Sequence, residues 1–169
     1  MTEEIEPEEL NEILDTVNQN EIRPVLRYGT SYFVLGNYTK IRNLDLVKDR
    51  LNRRKDAYAF LMSDILLSLR NFTDKFELIA KISSYVVGVA EDSEGDFRLE
   101  SGGIRFADWL KKKSYVLKRE YEEKDPYSPM HKGVFEELDK LNRLYRWRDR
   151  DELVESTEKL PSKTEEESV

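Results

Sequence analysis

The chain has 169 residues, a formal net charge of −7 with 37% charged residues, no cysteine and one histidine. That length suits one domain, and the composition excludes disulfides, thiolate metal sites, cysteine nucleophiles and, with His131 alone, a multi-histidine metal centre. The acidic balance disfavours nucleic acid, which binds a positive field. No stretch nears the roughly 20 apolar residues of a membrane span, and the acidic start Met1-Thr-Glu-Glu-Ile-Glu is unlike a secretory signal, so a cytoplasmic protein with no membrane partner is expected.

Leu10, Ile13, Leu14 and Val17 share one helical face. With Pro7 in the first turn and Glu8 and Glu9 at the positive end of the dipole, they predict a helix over 7–18 that packs on the domain or serves dimerisation. Asn18-Gln-Asn20 and Arg23-Pro24 are expected to break it, making residues 1–26 a helix and linker ahead of a single α/β domain over 27–160. Tyr32-Phe-Val-Leu35, closed by Gly36-Asn37, reads as a buried strand. Leu44, Val47 and Leu51 then make a helical stripe with Asn43 as its N-cap, and Ala57-Tyr-Ala-Phe-Leu-Met62 is a second apolar run. Phe72, Phe76, Ile79 and Ala80 predict another helix, capped by Asn71 or Thr73. Tyr85-Val-Val-Gly-Val-Ala90 is the clearest strand, being β-branched between polar neighbours.

The acidic loop Glu91-Asp-Ser-Glu-Gly-Asp96 follows, and a helix is expected from near Gly103 with Ile104, Ala107 and Leu110 inward. Tyr115-Val-Leu117 predicts a fourth strand, Asp125-Pro126 and Ser128-Pro129 a loop, and Val134, Phe135, Leu138 and Leu141 a helix. Tyr145-Arg-Trp147 is a candidate fifth strand, or an interface patch, since Trp, Tyr and Arg anchor many interfaces. Asp149 opens a last short helix through Leu153 and Val154, and 161–169 reads as a disordered acidic tail.

Apolar strands alternating with amphipathic helices imply right-handed βαβ crossovers and a mostly parallel sheet covered on both faces. The simplest topology is a three-layer, doubly wound α/β fold of about five strands in the flavodoxin-like order 2-1-3-4-5, with an added N-terminal helix. Ligands of such folds bind beyond the carboxyl ends of the strands, where the strand order reverses. Three loops are expected there: Gly36-Asn37-Tyr38-Thr39, Ser63-Asp64, and 91–103.

The first loop has neither the G-x-G-x-x-G fingerprint nor a phosphate loop. Gly36 is either a tight turn or a ligand-facing residue, and Tyr38 either stacks on a base or packs in the core. In the third loop Glu100 precedes Ser101-Gly102-Gly103 and a helix start, where backbone amides can hold an anion. Glu100 there either caps the helix or meets a ribose hydroxyl or an oxocarbenium-like centre. Lys118-Arg119, after the fourth strand, are placed for a ligand phosphate.

The strings Ser31-Tyr-Phe-Val-Leu-Gly-Asn-Tyr-Thr39, Met62-Ser-Asp64, Ile79-Ala-Lys-Ile-Ser-Ser-Tyr-Val-Val-Gly-Val-Ala90 and Asp96-Phe-Arg-Leu-Glu100-Ser-Gly102 resemble the nucleoside 2-deoxyribosyltransferase-like family and its TIR-like relatives. The resemblance covers about 31–119 and extends, less distinctly, to uncharacterised archaeal proteins of this α/β type. It implies a nucleoside or nucleotide ligand and no separate cofactor. The family glutamate of glycosidic-bond cleavage falls on Glu100 and the family glycine on Gly102. With that ligand, Gly36, Asn37, Tyr38 and Thr39 are expected to line the pocket, Asp64 to bind ribose, Asp96 to be a further ligand contact, and Lys118 or Arg119 to bind a phosphate. Asn37 stands where the family has proline, and Ser84-Tyr85 where it has Ser-Asp. Two functions follow: an enzyme that cleaves or transfers an N-glycosidic bond, and a non-catalytic nucleotide-sensing or interaction module on the same fold.

Arg50, Arg53, Arg54 and Lys55, and Lys111-Lys-Lys113, are expected to be solvated, dipole-complementing helix ends. Without interleaved aromatics they do not suggest RNA binding. His131 is expected to be structural or solvated.

Overall fold

The computed structural model describes residues 19–65, 72–91, 110 and 112–163. Five strands form one parallel sheet: β1 (Thr30–Gly36), β2 (Ala57–Phe60), β3 (Tyr85–Ala90), β4 (Ser114–Arg119) and β5 (Leu144–Trp147). Their order is β2-β1-β3-β4-β5, the expected one. The helices are α1 (Gln19–Arg27), α2 (Ile41–Asn52), α3 (Phe72–Ile82), α4 (Pro129–Lys140) and α5 (Arg150–Glu158).

Side-chain alternation along the strands builds two cores. Phe33, Leu35, Val86 and Val116 face one way and meet Ile22 and Val25 of α1, Phe76 and Ile79 of α3, and Phe135 and Leu138 of α4. Tyr32, Val34, Val87 and Leu117 face the other way and meet Leu44, Val47 and Leu51 of α2 and Leu153 of α5. A strand buried on both faces has no polar side to show, which is why β1 and β3 read as continuous apolar runs.

Several expectations need correction. The predicted helix over 7–18 and its interface role lie outside the described residues, as do Asn71 and the side chain of Thr73. Asn18 lies outside the described residues, and the expected break at Arg23-Pro24 is not one: α1 runs through Pro24, because burying Ile22 and Val25, at 0% and 2% exposure, outweighs the lost backbone bond. Asn43 does not cap α2, which begins at Ile41. Asn37 caps instead, accepting from the Thr39 N–H at 3.0 Å at the head of a 3-10 turn over Tyr38–Lys40. Met62 belongs to a second 3-10 turn, Met62–Asp64, rather than to β2. Ser128 and Pro129 are the N-cap and first residue of α4, not a loop, and Leu141 is half exposed beyond its end.

The basic helix ends are not simply solvated. Arg54 donates to the carbonyls of Thr157, Glu158 and Leu160 at 3.1, 3.0 and 2.6 Å, closing the C-terminal end of α5. Lys113 does the same for α3, reaching Ala80, Lys81 and Ser83 carbonyls at 2.9–3.1 Å. Both are cations at the negative end of a helix, but of a helix distant in sequence. The first residues of the expected tail are also held. Tyr32 donates its hydroxyl to Pro161 O at 2.6 Å, and the Lys163 N–H donates to Thr30 Oγ1 at 3.1 Å.

The edge strands are covered by side chains. Asn52 donates to Ala59 O at 2.9 Å and accepts from Ala59 N–H at 2.8 Å, so its amide takes the place of a further strand beside β2. On β5, Ser156 donates to Arg146 O at 3.0 Å. Trp147 is buried at 1% exposure, its indole N–H donating to Leu117 O, and so is a core residue and not part of an interface patch.

Candidate functional site at the carboxyl edge of the sheet

The strand order reverses between β1 and β3, with β2 beside β1 on one side and β4 beside β3 on the other. At that point stands Glu91, the residue after β3, only 3% exposed. Its Oε1 accepts from Asn43 Nδ2 at 2.8 Å, from the first turn of α2, and from Arg119 Nη1 at 3.2 Å, from the last position of β4. Three segments distant in sequence therefore meet on one carboxylate, and burial of the charge is tolerable because it is paired and hydrogen-bonded.

Arg119 is itself positioned. Its guanidinium carbon lies 5.1 Å from the Tyr121 ring centre and 5.2 Å from that of Trp147. The Tyr121 hydroxyl donates to Glu91 O at 2.6 Å, while the Tyr127 hydroxyl lies between Ala90 O and Arg119 O at 3.0 and 2.7 Å. Two tyrosines thus tie the segment 120–127 to the ends of β3 and β4. That segment lines a cleft of about 350 Å³, and 119–124 with Arg148 line a second of about 430 Å³. Both volumes lie in the roughly 300–1,000 Å³ range of small-molecule sites.

The sequence-derived site residues fare differently. Gly36 ends β1, and a Cβ there would collide with Leu44 Cδ2 and come within 3.1 Å of Val89 O. It is glycine because α2 packs on the strand end. Asn37 and Thr39 are bonded to each other, Thr39 Oγ1 donating to Asn37 Oδ1 at 2.8 Å. The Tyr38 side chain, and Asp96, Glu100 and Gly102, lie outside the described residues. Asp64 accepts from the Leu61 N–H at 2.9 Å and pairs with Lys48 at 3.4 Å. Burial opposes the Lys48 charge, but Asp64, with Asp45 and Asp49, holds its pKa above the ordinary value.

Lys118 and Arg119 are the last two residues of β4 rather than a loop beyond it. Lys118 pairs with Glu120 at 3.4 Å and lies over the Tyr127 and Phe135 rings. His131, buried at 6%, has its Nδ1 2.6 Å from Ser128 Oγ at the head of α4 and is structural.

Sequence reasoning missed Glu91, Asn43, Tyr121 and Tyr127. For Glu91 a signal existed, as it is the first charged residue after a fully apolar strand at a predicted switch point. Among the described residues no group of three or more His, Cys, Asp or Glu could hold a metal ion, and no helix is long and apolar enough to cross a membrane.

An α/β protein with clefts beside the carboxyl ends of β4 and β5 is the class that this fold and site define. Residues 2–125 match a family of unknown function, DUF8170, and the chain belongs to that family. No curated protein matches it.

Proposed function

We propose that the protein acts in the cytoplasm on a nucleoside or nucleotide held at the carboxyl edge of β1, β3 and β4, and cleaves or transfers its N-glycosidic bond with Glu100 as the acting carboxylate. The observation that carries the reading is Glu91, a buried carboxylate at the reversal of strand order, paired with Arg119, which lines two clefts of ligand size. A carboxylate there suits sugar hydroxyls or a ring N–H, and the nearby aromatic rings suit a base. The likeness of the 31–102 strings to nucleoside 2-deoxyribosyltransferase-like proteins supports the same ligand class.

A second reading, a binding module without turnover, is favoured by one finding. Asn37, Thr39, Asp64 and Lys118 are each engaged with neighbouring groups, which among the described residues leaves few polar groups at the edge for chemistry. One experiment separates the two. The protein is incubated with NAD, nucleosides and nucleotides, and base release is followed by chromatography alongside the melting temperature. Release lost in Glu100→Ala supports the enzyme. A ligand-dependent rise in Tm without release supports the module, and neither response refutes both.

A further inference from the structure

Glu91 and Arg119 meet through one oxygen and one nitrogen, and each has further polar atoms uncommitted. Oε1 of Glu91 takes both the Asn43 amide and Arg119 Nη1, whereas its twin Oε2 accepts from none of the described residues. Arg119 donates Nη1 to Glu91. Its Nε–H is buried without a partner, and Nη2 bonds none of the described residues. A guanidinium donor left unmet inside a protein is costly, and such groups call for a physical reason. The rings of Tyr121 and Trp147 flank the guanidinium, their centres 5.1 and 5.2 Å from its carbon.

Among the described residues, Glu91 Oε2 thus has no donor and Arg119 Nε and Nη2 have no acceptor, and the formal charges of the pair cancel. A neutral pair of this kind offers little to a phosphate. It matches a planar edge on which an N–H lies next to a carbonyl. Building on the nucleoside reading above, we infer that Glu91 and Arg119 read the lactam edge of a nucleobase. Arg119 donates to the ring carbonyl, Glu91 Oε2 accepts the neighbouring ring N–H, and Asn43 holds the carboxylate in the orientation this needs. Specificity of this type arises because a mismatched ligand leaves the buried Glu91 Oε2 and the buried Arg119 Nε unmet.

The test compares each lactam with its N-methylated twin, which keeps the carbonyl and loses the N–H. Calorimetric Kd values are measured for uridine against 3-methyluridine and for inosine against 1-methylinosine. Methylation is expected to weaken binding at least tenfold. Glu91→Gln is expected to weaken uridine and inosine about tenfold and the methylated twins less than threefold. Arg119→Lys, which keeps the charge and loses the planar donor set, serves as a second variant: both twins keep the carbonyl, so it is expected to weaken parent and methylated twin alike. Equal Kd values for parent and twin, or equal losses for parent and twin in Glu91→Gln, overturn the inference. Binding of adenosine with none of uridine or inosine overturns it while leaving the nucleoside reading intact. Failure of every nucleoside and of its 5′-phosphates to bind overturns both.

Discussion

Arg119 reaches Glu91 across the ends of two neighbouring strands, with Nη1 3.2 Å from Oε1, and this contact joins β4 to the exit of β3. The Glu91 side chain is 2% exposed and that of Arg119 33%, so the pair is asymmetric: the acid is committed to the interior and the base is not. Removing a partner from a buried pair costs about 3–5 kcal/mol, less where one partner touches water. Arg119→Met is therefore expected to lower stability by about 2–3 kcal/mol in urea unfolding. The double variant Glu91→Leu/Arg119→Met should recover part of that loss. A double variant less stable than Arg119→Met would show that the carboxylate is held by Asn43 and the backbone rather than by the guanidinium.

Arg54 joins the end of α2 to the end of α5 across more than 100 positions of sequence. Its fork meets several carbonyls at once, a geometry that an ammonium cannot reproduce. Hydrogen bonds from a charged group contribute about 1.5–3 kcal/mol. Arg54→Met should cost about 2–3 kcal/mol, and Arg54→Lys should restore less than half of it. Since the same fork also lies 3.0 Å from the Tyr32 hydroxyl, Tyr32→Phe is expected to act less than additively with Arg54→Met in a double-mutant cycle.

The sheet was legible because each inner strand is apolar on both faces and each described crossover helix carries a single apolar stripe; strand order then follows from the handedness of the crossovers. What stayed hidden was side-chain partnership over long separations. Arg54 looks like one of four basic residues at a helix end, and only the fold brings the last turn of α5 to it. Asn43 looks like an N-cap until the helix is seen to begin two residues earlier, which frees its amide for Glu91. The loop glycine was legible as a constraint but not as to its source.

That source is Leu44. At Gly36 a Cβ would run into Leu44 Cδ2 and crowd Val89 O, so α2 would have to lift from the strand end. Overpacking of this kind costs about 1–3 kcal/mol. Gly36→Ala is expected to fall in that range by chemical denaturation, and Leu44→Val, which shortens the opposing side chain, should offset part of it. If instead Gly36→Ala leaves stability unchanged while abolishing ligand binding, the glycine serves the ligand and not the packing.

Asn52 holds both outward backbone groups of Ala59 on the edge strand β2. Asn52→Leu leaves that N–H and carbonyl to water or to another chain. A loss of about 1–2 kcal/mol is expected, together with concentration-dependent association seen by light scattering, because an uncovered edge is a template for strand pairing. Asn52→Asp keeps the acceptor and loses the donor, and its negative charge should suppress association while still costing stability. A strictly monomeric Asn52→Leu would mean that the shortness of β2 alone protects the edge.

Asp125 gives a pH dependence whose sign is fixed by its partners. The Tyr127 N–H donates to its carboxylate at 3.1 Å and Lys132 Nζ lies 3.1 Å away, and together they hold its pKa below the ordinary value. A carboxyl group whose pKa is lower in the folded than in the unfolded state binds protons more readily when unfolded. Its contribution is therefore complete above the unfolded value near 3.9 and is lost as the pH falls through the folded value. The side chain is 52% exposed, so the effect is screened and amounts to less than about 1 kcal/mol. Asp125→Asn keeps an oxygen for the Tyr127 N–H but cannot titrate. The stability gap between the native chain and Asp125→Asn should be constant from pH 7 down to about pH 5 and close progressively below pH 4. A gap that widens on acidification would reverse the sign and show that the carboxylate is held less firmly in the folded protein than in the unfolded chain.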